Sequence, residues 1–178
     1  MSARWGGWRR ERVPDDVRAA LASADRVLAW ALDDLSGARI VAGRHRLHVL
    51  PPEISARLET PEQVPGRSWH LVDSGVWDPS ISVLTVTWVD HSPVVRVRLT
   101  EPNGLPETLR ERVQASVILS EDVDLGRDRS ARVVIRRDLA SGELLSQTLL
   151  GPGVTARDPG TLVQTEQALA RLREQVGL

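Results

Sequence analysis

The chain of 178 residues contains no cysteine, no phenylalanine, no tyrosine and no lysine. Without cysteine there is no disulfide, no thiolate metal site and no cysteine nucleophile. Without lysine all 23 basic residues are arginine, and the aromatic content is six tryptophans. That bias is the mark of a GC-rich genome, and it dilutes the meaning of any single arginine. Long apolar runs are missing as well. The first residues lack the roughly 7 to 15 apolar residues of a signal peptide, and nowhere do about 18 apolar residues run together. The expectation is a cytoplasmic protein with no transmembrane segment. Charge of one sign is also lacking: a formal net charge of −1 and a pI near 6.4 make no global case for nucleic acid or a membrane surface. Any such case must come from a local patch.

What is present centres on Ser82 to Leu119. In Val83 to Val89, Leu84, Val86 and Trp88 alternate with Thr85 and Thr87, the two-residue period of a half-buried strand. Asp90-His91-Ser92-Pro93 suits a turn, after which Val95, Val97 and Leu99 face inward and Arg96 and Arg98 outward. The pattern predicts an antiparallel hairpin. Pro106 then stands where a helix tolerates proline, Glu107 complements the positive end of its dipole, and Leu105, Leu109, Val113 and Val117 recur every four residues. A helix with one apolar stripe is expected there, lying on a sheet.

Ahead of this centre, Met1 to Arg12 interleaves Trp5 and Trp8 with Arg4, Arg9, Arg10 and Arg12 against Glu11, so four minus one gives a local charge of +3. Arginine and tryptophan together can stack on bases or sit at an anionic lipid surface; the alternative is an arm that packs on its own domain or on a partner chain. Pro14 opens a short helix with Val13, Val17 and Leu21 as its stripe. Asp25 to Asp33 reads as a strand covered on both sides, and Arg39 to Leu50 as one long second strand with Arg44, Arg46 and His48 on its outer face. Residues 51–66 hold a proline-rich excursion with a helical turn around Ile54 to Leu58, and Trp69 restarts a strand-like segment ending at Trp77-Asp78-Pro79. Beyond the central helix, residues 121–129 read as a charged loop. Ala131 to Asp138 and Glu143 to Leu150 read as a strand pair, and a closing helix begins near Asp158 with Leu162, Leu169, Leu172 and Val176 close to one stripe.

Catalytic and metal-binding signatures do not assemble. His45 and His48, three apart on one strand, would point to opposite faces and could not share an ion. His70 and His91 have no triad spacing. Asp122, Asp124 and Asp128 around Gly126 lack the closing glutamate of an EF-hand, and Gly151-Pro152-Gly153 has no Lys-Ser/Thr after it. The expectation is a protein that is not an enzyme and needs no cofactor. If the strands bearing Arg44 and Arg46 neighboured those bearing Arg96 and Arg98, the four would form a basic plate able to meet phosphate.

Residues 25–119 resemble a bacterial pleckstrin-homology-like (PH-like) domain of the GRAM or bacterial PH kind. Asp25-Arg26-Val27-Leu28-Ala29-Trp30 matches a first strand and Val41-Ala42-Gly43-Arg44-His45-Arg46-Leu47 a second. Trp69, Val72 and Trp77-Asp78 precede the next strands, and Leu105-Pro106-Glu107 with Arg110-Glu111-Arg112-Val113 matches the closing helix. The resemblance implies an α+β fold: a small antiparallel barrel or bent sheet closed by a C-terminal helix, followed here by a β-β-α extension. The organisation is then an arm and short helix at 1–24, a PH-like domain at 25–119 and the extension at 120–178. The chain departs from the family in its 51–66 excursion and in lacking the lysine that precedes Arg-x-Arg in phosphoinositide binders. The chain also resembles uncharacterised proteins of high-GC bacteria. Function is expected to be protein binding or self-association, with an anionic ligand (nucleic acid or acidic lipid) as one alternative and an enzyme with no recognisable motif as the other. The candidate contacts are Arg4, Trp5, Trp8, Arg9, Arg10, Arg44, Arg46, Arg96 and Arg98.

Overall fold

Apolar residues alternate with polar ones along residues 84–88 and 95–98, and nearly every extended segment pairs antiparallel with its neighbour in sequence. The computed structural model describes residues 12–21, 25–52, 65–126 and 128–178, and the chain divides after Val113 into two compact units. In the first unit, helix α1 (Asp15–Leu21) precedes a four-stranded sheet of β1 (Val27–Leu32), β2 (Arg39–Gly43), β3 (Arg46–Leu50) and β4 (Arg67–Ser68) in that order. A 3-10 turn, Trp69–Leu71, leads into a three-stranded sheet of β5 (Val72–Asp78), β6 (Val83–Trp88) and β7 (Val95–Arg98), and helix α2 (Leu105–Ser116) follows.

Seven residues are too few to hold a helix alone, so α1 depends on packing. Its Val17 and Leu21 are buried against Val41 and Leu50, with Val13, Val27 and Trp30 around them. Helix α2 buries Leu105 and Leu109, and the Leu109 Cδ2 lies 2.0 Å from where a β-carbon on Gly75 would sit. A residue without a side chain on β5 is therefore what lets α2 approach the sheet. Trp69, fully buried, donates its indole N–H to the Gly43 carbonyl at 3.1 Å and so ties the turn between the two sheets back to β2.

The hairpin of residues 83–99 and the helix starting at Leu105 stand where the periodicity places them. Four expectations need correction, the last of them the apolar stripe of the closing helix. Among the described residues the strands form separate open sheets and no closed barrel, because β1 and β7 share no strand ladder. The segment 39–50 is not one strand: it reverses at Arg44-His45, making β2 and β3 a hairpin with Ala42 opposite Leu47. The cause is non-local. Asp25, 20 residues away, accepts the backbone N–H of both His45 and Arg46 at the reversal, and its carboxylate fills the space where a Gly43 side chain would go. The third and fourth corrections lie in the second unit.

There, β8 (Val117–Asp124), β9 (Ser130–Arg137) and β10 (Leu144–Leu150) form an antiparallel sheet with β9 in the middle, and α3 (Pro159–Val176) packs on it. Residues 117–124 are thus a strand where the sequence suggests a helix end and a charged loop, and the extension is β-β-β-α. Val123 is turned into the core while Asp122 and Asp124 face out, so the acids mask a two-residue period. Val123, Leu125, Ala131, Val133 and Ile135 pack with Ala168 and Leu172. Asp158 caps α3 by accepting the Gly160 N–H, Pro159 takes the first turn, and Gly177 closes it at φ 75°. The buried stripe of α3 is Thr161, Thr165, Ala168 and Leu172 rather than one containing Leu162, which is 42% exposed.

Burial of Leu109 predicts that Leu109→Asp loses about 1.5–3 kcal/mol of apolar burial and adds a desolvated charge, enough to abolish a cooperative thermal melt. Gly75→Ala is expected to destabilise wild type more than it destabilises Leu109→Ala, since the truncated leucine no longer occupies that space. Equal effects in the two backgrounds, measured by urea denaturation, would contradict this packing.

Candidate functional site

Asp25 is an enclosed polar group of the first unit, with a fully buried side chain. One oxygen accepts the Arg46 N–H at 2.9 Å and lies 3.2 Å from His48 Nε2, and both oxygens stand 3.1 Å from the His45 N–H. His48, 1% exposed, is held on its other nitrogen by the Pro65 carbonyl at 3.0 Å, and Gly66 leaves room for its ring. The reversal at Arg44-His45 therefore brings His45 and His48 towards one carboxylate, where a continuous strand would have set them on opposite faces. Burial by itself pushes the Asp25 carboxyl up, but the His48 hydrogen bond and the two backbone N–H groups outweigh it and hold the group below its ordinary value. A hollow of about 320 Å³ lies beside it, bounded by Val13, Arg18, Asp25, Arg26 and Val27.

Asp33 and Asp34 do comparable work at the other end of β1. Asp33 accepts the N–H of Ser36 within its own turn and that of Arg98 on β7, at 3.2 and 2.9 Å. The Asp34 N–H donates to the Arg98 carbonyl, and its carboxylate accepts the N–H and hydroxyl of Thr100 at 2.9 and 2.7 Å. These bonds join the first sheet to the second where a barrel would have continued its ladder. Desolvation opposes ionisation of Asp33, while the Ser36 hydroxyl and the N–H groups of Arg98, Leu35 and Ser36 favour it, and the net displacement is downward.

Of the arginines singled out from the sequence, Arg46 belongs to one sheet and Arg96 and Arg98 to another. Arg44 is exposed in the β2–β3 turn and Arg46 exposed at the start of β3, whereas Arg96 and Arg98 are exposed on β7 of the other sheet. Their strands are not neighbours, so the basic plate that adjacency would create does not form. Arg4, Trp5, Trp8, Arg9 and Arg10 lie outside the described residues, as does the helical turn expected around Ile54 to Leu58. Arg67 instead stacks over the Trp88 ring, 4.1 Å from its centroid, and pairs with Asp90. The Ser92 hydroxyl and N–H, with help from Arg67, hold the Asp90 carboxyl down to about 2.

In the second unit the notable feature is an edge. Among the described residues β10 pairs with β9 alone, and its seven residues, Leu-Leu-Ser-Gln-Thr-Leu-Leu, include no charge and no proline. Helix α3 packs mainly over β9 and β8, leaving a groove of about 360 Å³ beside β10 lined by Thr148, Leu150, Leu162, Leu169 and Arg173 among others. Arg173 reaches across to donate to the Ser146 hydroxyl at 2.9 Å. The opposite edge, β8, carries Glu121, Asp122 and Asp124, with Glu121 paired to Arg171. Sequence reading misses both β10 as an edge and Asp25 as a staple, since each depends on which strands come together. The signals available were the uncharged run 144–150 and an aspartate 18 residues before a lone glycine at position 43.

Asp25→Ala leaves two backbone N–H groups and His48 without their acceptor, and is expected to destabilise the first unit by about 3 kcal/mol or more. Because the folded-state value of Asp25 lies below its ordinary 3.8, its contribution is complete above that pH and is lost as pH falls through the lowered value. Acid titration of the urea midpoint should therefore fall more steeply below about pH 4 in wild type than in Asp25→Asn; parallel curves would contradict the assignment.

No protein-family model, curated protein or solved structure matches the chain.

Proposed function

We propose that this chain is a non-catalytic interaction protein, with a PH-like first unit, that binds another protein chain by adding a strand to an open sheet edge. The observation that carries the reading is β10: seven uncharged residues, half-buried for the most part, with a strand neighbour on one side only among the described residues. An edge strand presents a row of N–H and C=O groups that another strand can satisfy, and natural sheets that avoid such pairing place charges or proline there. The acidic β8 edge of the same sheet has that protection and β10 does not.

The PH-like reading draws support from element order. Antiparallel strands followed by a helix agree with the bent sheet and closing helix that the resemblance implies. Fold analogy grants no lipid ligand. The buried carboxylates of Asp25 and Asp33 are engaged by backbone N–H groups of their own unit, which makes them structural anchors rather than a reaction centre. No described helix is long and apolar enough to cross a membrane, and a cytoplasmic setting belongs to the same proposal.

A photo-crosslinking residue at the exposed Thr148 is expected to give one discrete protein adduct in cells that the same residue at exposed Glu111 does not give. The same adduct pattern from both positions, or none from Thr148, would overturn the proposal.

A further inference from the structure

We infer that the strand received by β10 is β10 of a second copy, paired antiparallel about a two-fold axis through Gln147. This rests on the reading of β10 as a binding edge and names its partner.

The edge is close to a palindrome in residue type. Centred on Gln147, an antiparallel pairing sets Leu144 opposite Leu150 of the second copy, Leu145 opposite Leu149, Ser146 opposite Thr148, and Gln147 opposite itself. Each pair is therefore like with like: aliphatic on aliphatic and hydroxyl on hydroxyl, the combinations that favour cross-strand contact, with no charge set against its own sign. A two-fold interface uses one patch twice, so a self-complementary sequence is what it requires; a strand built for a different partner has no reason to read alike in both directions.

The faces agree as well. Ser146 is opposite Ile135 and Thr148 opposite Val133 in the β9–β10 register, and both β9 residues lie in the core under α3. Leu144, Ser146, Thr148 and Leu150 thus share the α3 face. A two-fold axis perpendicular to the sheet keeps both α3 helices on that face, so the grooves beside the two copies of β10 confront each other across the new strand pair. Leu162, Glu166, Leu169 and Arg173 line each groove at helical spacing, and the acid and base among them give the facing surfaces both signs of charge. Two three-stranded sheets become one of six strands, β8-β9-β10-β10-β9-β8. Its outer strands are both β8, whose exposed Asp122 and Asp124 repel a further copy, so assembly closes at the dimer.

Sedimentation equilibrium of the full chain from about 1 to 100 µM tests the pairing. The mass is expected to rise from 19.6 kDa towards twice that value. Ser146→Lys with Thr148→Lys opposes like charges at both Ser146–Thr148 pairs and should weaken the dimer at least tenfold. Ser146→Glu with Thr148→Lys opposes unlike charges at both pairs and should restore it, which separates pairing from any general effect on folding. A chain that stays monomeric throughout overturns the inference, and so does a dimer equally strong in all three. If the chain is monomeric but the crosslinker at Thr148 captures one unrelated protein, self-pairing fails and the edge reading stands. A monomer with no adduct ends both.

Discussion

A sheet that does not close on itself leaves the N–H and C=O groups of its outer strands unsatisfied by the ladder. The described strands form three open sheets, so the chain has to deal with that constraint repeatedly. It does so in different ways. The turn end of β1 is joined to β7 by Asp33 and Asp34, which accept and return backbone hydrogen bonds at Arg98 and Thr100. β4 is only two residues long, too short to template a partner. β8 is acidic along its outward positions. β10 receives none of these treatments, and in the pairing we infer, the near-symmetry of its sequence lets another copy of itself do the same work.

Side-chain carboxylates recur as substitutes for strand pairing. A hydrogen bond to an ionised acceptor is stronger than one between neutral groups, and where the acceptor is buried, as at Asp25, removing it strands its donors away from water. Asp25 holds the β2–β3 reversal, Asp33 the turn between β1 and β2, and Asp158 the first turn of α3. All three are displaced downward from the ordinary carboxylate value, since the bonds they accept favour the ionised form more than their surroundings disfavour it. Acid should therefore loosen turns and caps before it disturbs the apolar cores. Those cores include Leu105 and Leu109 on one helix, and Val133 and Ile135 under another.

Elements defined by their own neighbours in sequence were legible. The hairpin of β6 and β7, the start of α2 at Leu105, the α1 stripe of Val17 and Leu21, and the Asp158-Pro159 cap all follow from local period and capping chemistry. The reversal at Arg44-His45 was hidden because Arg44 and Arg46 continue an alternation that looks like one strand, while the staple that bends it comes from Asp25. β8 was hidden because Asp122 and Asp124 occupy its outward positions and Glu121 stands among its inward ones. The basic plate fails for a related reason: period shows which residues share a face, but sheet membership decides whether Arg46 and Arg98 are neighbours. The symmetry of residues 144–150 was in plain sight, yet it acquires meaning only once β10 lies at an edge.

A chain without cysteine offers a direct measure of that edge. Antiparallel strands set directly opposed α-carbons about 4.5–5.5 Å apart, within the span of a disulfide, and Gln147 is the residue that meets itself at the two-fold axis. Gln147→Cys should crosslink into a covalent dimer under mild oxidation far faster than Arg96→Cys, whose site is exposed but lies on β7. Equal rates for the two variants, or a Gln147→Cys chain that stays monomeric, would contradict a β10–β10 pairing.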